Sequence, residues 1–442
     1  MKTIKRILLV LLVVVGAVIW YNYSKLNIIS GYASKNLASS VFVAERTAQS
    51  ITTHDNNVPL VKLADEHYDP NQKTAFAKVF GLMERQTICR EGLGCVLIND
   101  DYDPSKSALK PRRTKLQNEL PFPYGNHGML DTVFPNVNYD QLKNAIDGAF
   151  ENYDLQKTRT VLVAYKGELI AERYGDGFSA DTPILGWSMT KSILATLYGI
   201  LEYQGKLNVQ DFHPLKDEAT KSKITLNHLL RMQSGLAWNE DYTSISDVTE
   251  MLFLDADMTV KQPQQPVIAD PTEIWNYSSG TSNWLSGILK EQFKTTQDYL
   301  DFPYAALIDK TGMHSMLIET DMSGNFVGSS YGWATTRDWA KFGILHLNKG
   351  NWNGEQLFDP NWIDYITRPT AHSNGTYGAH WWLNAQGKYP DVPRDLYSAN
   401  GFQGQYVFVI PSKNLVIVRT GLGEEPDFDA NGFLSEVVAA IQ

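Results

Sequence analysis

Apolar positions recur at helical spacing near both ends of the second part of the chain. Residues 138–153 place apolar side chains at positions i, i+4, i+7 and i+8 behind Asn138. Residues 431–442 form a shorter amphipathic stretch that starts at Asn431. This spacing predicts a helix with Asn138 as its N-cap and a C-terminal helix with Asn431 as its N-cap.

Two other stretches have the pattern of β-hairpins. In residues 160–175, strand-like apolar runs stand on either side of Lys166 and Gly167. In residues 405–421, similar runs flank the turn residues 411–414. Because a hairpin joins antiparallel strands, both stretches predict an antiparallel sheet.

The order of these elements is helix, hairpin, a long middle region, hairpin and helix. The middle region, residues 186–395, is rich in helix signals and is expected to be inserted between the two halves of the sheet. The pattern therefore predicts an α+β fold, with an antiparallel β-sheet flanked by N- and C-terminal helices, an inserted mostly helical region, and a cleft where the two parts meet.

The first 128 residues have a weaker pattern. A helix is expected at 73–85, and the proline-rich and charged stretch 100–125 is typical of extended surface chain. We expect residues 25–128 to form an N-terminal extension that packs on the main domain without a large core of its own. The main domain is then residues 129–442.

The N-terminus has the pattern of a membrane anchor. Lys2, Lys5 and Arg6 precede an uncharged run over residues 7–23, which is near the lower end of the length that spans a bilayer. Aromatic residues stand where a signal peptidase needs small ones, which favours an uncleaved anchor over residues 1–24. A cleaved signal peptide and a buried core helix are the alternatives. The basic flank predicts a single-pass protein of the inner or plasma membrane, with a periplasmic or extracellular catalytic domain.

Composition and charge exclude some functions. The 442 residues are 43% hydrophobic and 20% charged, and the net charge is −10. This composition is that of a globular protein with enough apolar surface for a core, and its negative charge argues against nucleic-acid binding. His, Cys and carboxylate residues are not spaced as in a zinc site, so no metal or other cofactor is expected.

The two cysteines, Cys89 and Cys95, are separated by five residues that include two glycines. Such a segment can close a small loop, and disulfides persist in exported proteins. We therefore expect a disulfide between them, with two free thiols as the alternative.

Ser188 and Lys191 form an S-x-x-K motif at the start of an apolar helical run. Residues i and i+3 share one face of a helix, so the lysine amine can reach the serine hydroxyl. An amine whose pKa is lowered by burial can take the serine proton and make it a nucleophile. A helix cap followed by a surface lysine is an equally ordinary explanation of this motif alone.

Two further stretches carry possible chemistry. Tyr277 and Ser279 precede an apolar helical run, where a tyrosine could relay a proton and a hydroxyl could bind substrate. Gly401 leads into the final hairpin, where a backbone N–H could complete an oxyanion hole with that of Ser188. Each stretch alone is also explained by a turn before a helix or a strand.

Together and in this order, the three motifs resemble the β-lactamase-related serine hydrolases. This family includes class C β-lactamases, serine DD-peptidases, family VIII-type esterases and 6-aminohexanoate-dimer hydrolases. It carries S-x-x-K, then Y-x-[NS], then [KH]-x-G near the final hairpin. Residues 224–236 and 331–357 resemble the segments between these motifs, and the resemblance covers about 130–442.

The resemblance implies a role for each matching residue. Ser188 would be the acylated nucleophile, Lys191 its base and Tyr277 the proton relay. The oxyanion would bind to the backbone N–H groups of Ser188 and Phe402. The substrate would contact Ser279, Asn400 and Gly401. Ser279 could contact Lys191 instead of the substrate.

The third motif departs from the family at Ala399, where lysine or histidine is usual. That cation typically binds a substrate carboxylate, so its absence favours an esterase or amidase acting on a small molecule of another kind. Two alternatives are a penicillin-binding or β-lactamase activity and a catalytically idle binding protein. Neither the substrate nor the oligomeric state is defined by the sequence.

The cleft walls are expected to come from loops 237–272 and 370–395. Within the second loop, His380, Trp381 and Trp382 could line the cleft or pack in the core.

Overall fold

A computed structural model describes residues 2–114, 120–125, 130–215, 220–423 and 428–442. Its α-helices, in chain order, are α1 (Lys2–Phe42), α2 (Ala48–Ser50), α3 (Tyr139–Gly148), α4 (Tyr153–Gln156), α5 (Met189–Tyr203), α6 (Leu226–Leu230), α7 (Asp247–Phe253), α8 (Ser279–Glu291), α9 (Thr296–Pro303), α10 (Thr336–Leu347), α11 (Asn361–Thr367) and α12 (Ala430–Ala439).

The β-strands form four sheets. They are β1 (Ala64–Asp69), β2 (Thr74–Val79), β3 (Leu82–Arg90), β4 (Gly94–Ile98), β5 (Thr158–Tyr165), β6 (Glu168–Tyr174), β7 (Ile184–Leu185), β8 (Leu317–Ile318), β9 (Gly332–Ala334), β10 (Asn351–Trp352), β11 (Glu355–Gln356), β12 (Trp382–Leu383), β13 (Tyr397–Gly401), β14 (Gln405–Ile410) and β15 (Leu415–Gly421).

The largest sheet has six antiparallel strands in the order β12-β13-β14-β15-β5-β6. Alternate residues of β5 point to opposite faces, so Val161 and Val163 pack with α3 and α12 while Leu162 packs with α5 and α10. Both predicted hairpins are present, as β5–β6 and β14–β15. The predicted α+β fold with its inserted mostly helical region is confirmed.

The two helices predicted to flank the sheet, α3 and α12, are also present. The N-cap of α12 differs from the predicted one. The Asn138 side chain accepts a hydrogen bond from Gln141 N at 3.0 Å, as an N-cap does. The C-terminal helix, however, is capped by Asp429, which accepts from Gly432 N at 2.9 Å. Asn431 therefore lies inside the first turn of α12, because the helix begins earlier than its apolar spacing indicates.

The N-terminal extension contains a sheet where a helix was expected. Residues 73–85 form β2, a turn and the start of β3, within the antiparallel sheet β1-β2-β3-β4. Ala75 and Ala77 alternate inward against α1, and this two-residue period selects strand over helix. The predicted disulfide joins Cys89 to Cys95, which lie opposite each other on β3 and β4.

The predicted membrane anchor over residues 1–24, and with it the location at an inner or plasma membrane, is contradicted. The uncharged run is the first part of α1, which continues to Phe42 and buries residues from Ser30 onward against the extension sheet. Across the residues described above, no helix has the length and apolar character needed to cross a bilayer. The domain boundaries at 24 and 128 stay predictions.

A buried ion pair joins α1 to the catalytic part of the chain. Lys35 Nζ lies 2.6 Å from Glu319 Oε2, and 4.0 Å from the ring centre of Tyr331. The Glu319 carboxylate also accepts hydrogen bonds from Cys95 N at 2.7 Å and Trp333 Nε1 at 3.0 Å. Burial lowers the pKa of Lys35, against the opposing attraction of Glu319. Glu319 therefore offsets part of the cost of burying the Lys35 amine.

Replacing Lys35 by methionine should destabilise the protein strongly, because Glu319 would stay buried without its cation. We expect a loss of about 3–5 kcal/mol in the free energy of unfolding, measured by chemical denaturation. The matched control is Lys223→Met, which breaks the exposed pair with Asp270 and should cost less than about 1 kcal/mol. Equal losses in the two variants would contradict this assignment.

Candidate active site

Ser188 lies at the N-terminus of α5, on a sharp turn that follows β7. Trp187 has a φ of +48°, in the left-handed region that residues other than glycine rarely adopt. Its ring is held by contacts with Tyr32, Tyr331 and Phe402, at centroid distances of 6.5, 6.3 and 5.6 Å. This packing stabilises the turn that presents Ser188 at the helix end.

Lys191 is one helical turn after Ser188 and is only 1% exposed. Its Nζ lies 2.9 Å from each of three oxygen atoms: Ser188 Oγ, Ser279 Oγ and the Ser329 carbonyl. The structure therefore brings together the predicted nucleophile and base, and adds a contact with Ser329 that the sequence analysis did not foresee.

Burial lowers the pKa of Lys191 to about 8, against the opposing negative charge of Glu240. An unperturbed lysine has a pKa near 10.4. About half of Lys191 is thus neutral near pH 8, and this neutral fraction can accept a proton.

Tyr277, the predicted relay, stands just before α8, and its hydroxyl interacts with that of Ser188. The Lys191 amine lies 5.0 Å from the centre of the Tyr277 ring. Burial and the charge of Glu240 raise the pKa of Tyr277 well above its usual value, against the opposing effect of the Ser188 hydroxyl. The tyrosine therefore keeps its proton at neutral pH and can donate it.

Glu240 is a site residue that sequence reasoning missed. Its carboxylate accepts hydrogen bonds from Ser279 Oγ at 2.5 Å and from Ser279 N at 2.8 Å. It also accepts from Trp238 Nε1 at 2.5 Å and lies 3.4 Å from the Tyr242 hydroxyl. The signal that could have found it is an acidic residue between two aromatic ones in the predicted wall loop 237–272.

The backbone around Gly401 approaches the nucleophile turn closely. A Cβ atom at this position would lie 2.0 Å from the carbonyl oxygen of Gly186, two residues before Ser188. Glycine is required for this approach, which sets Phe402 beside the nucleophile turn. The neighbouring Asn400 Oδ1 is buried and finds no hydrogen-bond partner within the described part of the chain.

Ala399 lies in the main core between the sheet and α5, and it is 1% exposed. Lysine or histidine is usual at this position in the β-lactamase-related serine hydrolases that the chain resembles. Here the position therefore holds a buried methyl group.

An aromatic cluster packs around Tyr277. The ring of Trp382 lies 5.4 Å from that of Tyr277, and Trp275 and Tyr377 complete the cluster. The other two candidates of the 370–395 loop face inward. His380 is buried and bonded to Ser282 Oγ and the Leu230 carbonyl, and burial lowers its pKa to about 3. Trp381 belongs to the core.

Comparison with known proteins places this geometry in a family. The family model described as Beta-lactamase matches residues 146–436. A 6-aminohexanoate-dimer hydrolase from Paenarthrobacter ureafaciens is 22% identical over 326 residues, which are 66% of this chain and 80% of that protein.

Solved structures share the fold. One is a Bacillus anthracis protein proposed to be a 6-aminohexanoate-dimer hydrolase, with a TM-score of 0.56 and 21% identity over 78% of this chain and 89% of its own. Another is a penicillin-binding protein homologue from Caulobacter crescentus, with a TM-score of 0.55 and 15% identity over 71% of this chain and 100% of its own.

The chain belongs to the β-lactamase family. It is an enzyme, a serine hydrolase of this family with an esterase-like or amidase-like character.

Gly401→Ala should slow the reaction of Ser188 with a fluorophosphonate probe. The added Cβ would push the 401–402 segment away from Gly186 and displace the backbone N–H of Phe402, the predicted oxyanion donor. We expect a loss of at least about 10²-fold in the labelling rate constant, the usual effect of losing one oxyanion donor.

The matched control is Gly148→Ala, where the nearest atom to the new Cβ is 3.9 Å away. It should label at the wild-type rate, and thermal unfolding of both variants reports whether they are folded. A wild-type labelling rate in folded Gly401→Ala would refute the close-approach role of Gly401.

Proposed function

We propose that the enzyme hydrolyses an ester or amide through an acyl-enzyme formed on Ser188. The observation that carries this proposal is the 2.9 Å contact between the Ser188 hydroxyl and the buried amine of Lys191, whose pKa is lowered to about 8. A serine beside such a base is an activated nucleophile.

In the acylation step, Lys191 Nζ takes the Ser188 proton while Oγ bonds to the substrate carbonyl carbon. The negative charge that develops on the carbonyl oxygen is stabilised by the backbone N–H groups of Ser188 and Phe402. As the bond to the leaving alcohol or amine breaks, Tyr277 donates its hydroxyl proton to that group and is reprotonated from Lys191. Its raised pKa keeps the Tyr277 hydroxyl protonated until the more basic leaving group takes the proton.

In the deacylation step, a water molecule adds to the acyl carbonyl and gives a proton to Lys191. The bond between Ser188 Oγ and the acyl carbon then breaks, Ser188 regains its proton, and the carboxylic acid leaves. The two steps together consume one water molecule and restore the enzyme.

The substrate is a small ester or amide that lacks the carboxylate of penicillins and peptide C-termini. Ala399 supports this substrate class, because its buried methyl group occupies the position at which members of the β-lactamase family usually carry a carboxylate-binding cation. The aromatic cluster around Tyr277 and Trp382 offers apolar contact area to the substrate instead. Two matched proteins carry the name 6-aminohexanoate-dimer hydrolase, which is consistent with an amide bond as the one cleaved.

Labelling by a fluorescent fluorophosphonate tests the nucleophile. Wild type should label, and Ser188→Ala should lose the label because the attacking oxygen is absent. Hydrolysis of a p-nitrophenyl ester should fall by at least about 10³-fold in the same variant.

Ser192→Ala serves as the matched control, since this neighbouring serine on α5 bonds the His380 carbonyl away from Lys191. Equal labelling of wild type and Ser188→Ala would overturn the proposal. A fluorescent penicillin run alongside should label weakly; stable labelling that Lys191→Ala abolishes would instead support a penicillin-binding activity.

A further inference from the structure

The three oxygen atoms around Lys191 differ in whether they can donate or only accept a hydrogen bond. A neutral lysine amine has two N–H bonds and one lone pair. The carbonyl oxygen of Ser329 can only accept a hydrogen bond, so it takes one N–H of Lys191. The second N–H and the lone pair are left for Ser279 and Ser188. Lys191 can act as a base toward Ser188 only if the lone pair faces Ser188 and the N–H faces Ser279.

Glu240 sets the direction of these hydrogen bonds through its contact with Ser279. A hydroxyl has a single proton, and the Ser279 hydroxyl lies 2.5 Å from Glu240 Oε1. A carboxylate can only accept, so the Ser279 proton points to Glu240. The Ser279 oxygen must then accept the second N–H of Lys191, at 2.9 Å. The lone pair of Lys191 is left facing the Ser188 hydroxyl, which is the arrangement that a general base requires.

We infer that Glu240 is a positioning residue that, through Ser279, turns the lone pair of Lys191 toward Ser188. This inference rests on the proposed function, in which Ser188 is the nucleophile. Glu240 itself is fixed by the Ser279 and Trp238 N–H groups, so the orientation is built into the loop that carries it.

Glu240 also affects the charge state of the base. The ionisable groups that face Lys191 come from three segments: Glu240 and Tyr242 from the wall loop, Tyr277 from the start of α8, and His380 from the segment before β12. Burial keeps both tyrosines and His380 neutral near neutral pH. Glu240 is thus the negative charge of this group, and it raises the pKa of Lys191.

The test compares Glu240→Gln with wild type by the pH dependence of kcat/KM for a p-nitrophenyl ester. The glutamine amide can donate to Ser279, which would let Ser279 donate to Lys191 and occupy its lone pair. We expect kcat/KM to fall by about 10²-fold, the usual contribution of a general base. Because a negative charge is lost, the limb on which activity rises with pH should move to lower pH.

Three variants separate positioning from a structural role. Glu240→Asp keeps the charge and should leave the pH limb in place while recovering part of the rate. Ser279→Ala removes the relay but not the charge, so its rate should fall without a shift of the limb. The Glu240→Gln, Ser279→Ala double variant should be no slower than the slower single variant. The exposed Glu151→Gln is the charge-matched control.

Fluorophosphonate labelling of wild type and of Ser188→Ala shows separately whether Ser188 is the nucleophile. If labelling depends on Ser188 but Glu240→Gln keeps the wild-type rate and pH limb, the inference fails and the proposed function stands. A rate loss with an unmoved limb and multiplicative losses in the double variant would likewise assign Glu240 a merely structural role. If Ser188→Ala still labels, the proposed function itself fails.

Discussion

The site depends on the burial of one amine. Lys191 is enclosed by protein, and its three polar contacts, all at 2.9 Å, come from three separate parts of the chain. The first turn of α5 supplies Ser188, the start of α8 supplies Ser279, and the segment before β9 supplies the Ser329 carbonyl. Burial without these partners would leave an unpaired polar group, and the partners without burial would leave an ordinary protonated lysine. The packing of α5 against α8 and the sheet is therefore part of the chemistry.

The N-terminal extension supports the same site from outside the matched family region. Tyr32 on α1 stacks on Trp187, whose left-handed backbone precedes the nucleophile, and Lys35 pairs with Glu319 beside Trp333. Residues well before the matched region 146–436 thus contact the turn that carries Ser188. A strained turn persists only when its surroundings hold it in place, and here part of that support comes from the extension.

The sequence predicted the elements whose signals are local. The hairpins, the helix capped by Asn138 and the i, i+3 pair of Ser188 and Lys191 all follow from short-range spacing. The helix expected at residues 73–85 was wrong, because the inward alternation of Ala75 and Ala77 has the two-residue period of a strand, and β2 is stabilised by pairing with β1 and β3. Glu240 and Ser329 were missed because each reaches Lys191 through tertiary packing of a loop, for which the sequence carries no period. The contact of Gly401 with Gly186 was also invisible, although its glycine was noticed as a point of close backbone approach.

The most direct measurement is the pKa of Lys191 itself. NMR titration of the enzyme labelled with ¹³C,¹⁵N-lysine, with the signal assigned by Lys191→Arg, reports this value without any substrate. We predict a titration near pH 8 for Lys191, the value set by burial against the charge of Glu240, well below the value of about 10.4 for an unperturbed lysine. A Lys191 signal that titrates with the exposed lysines would contradict a buried neutral base at this site.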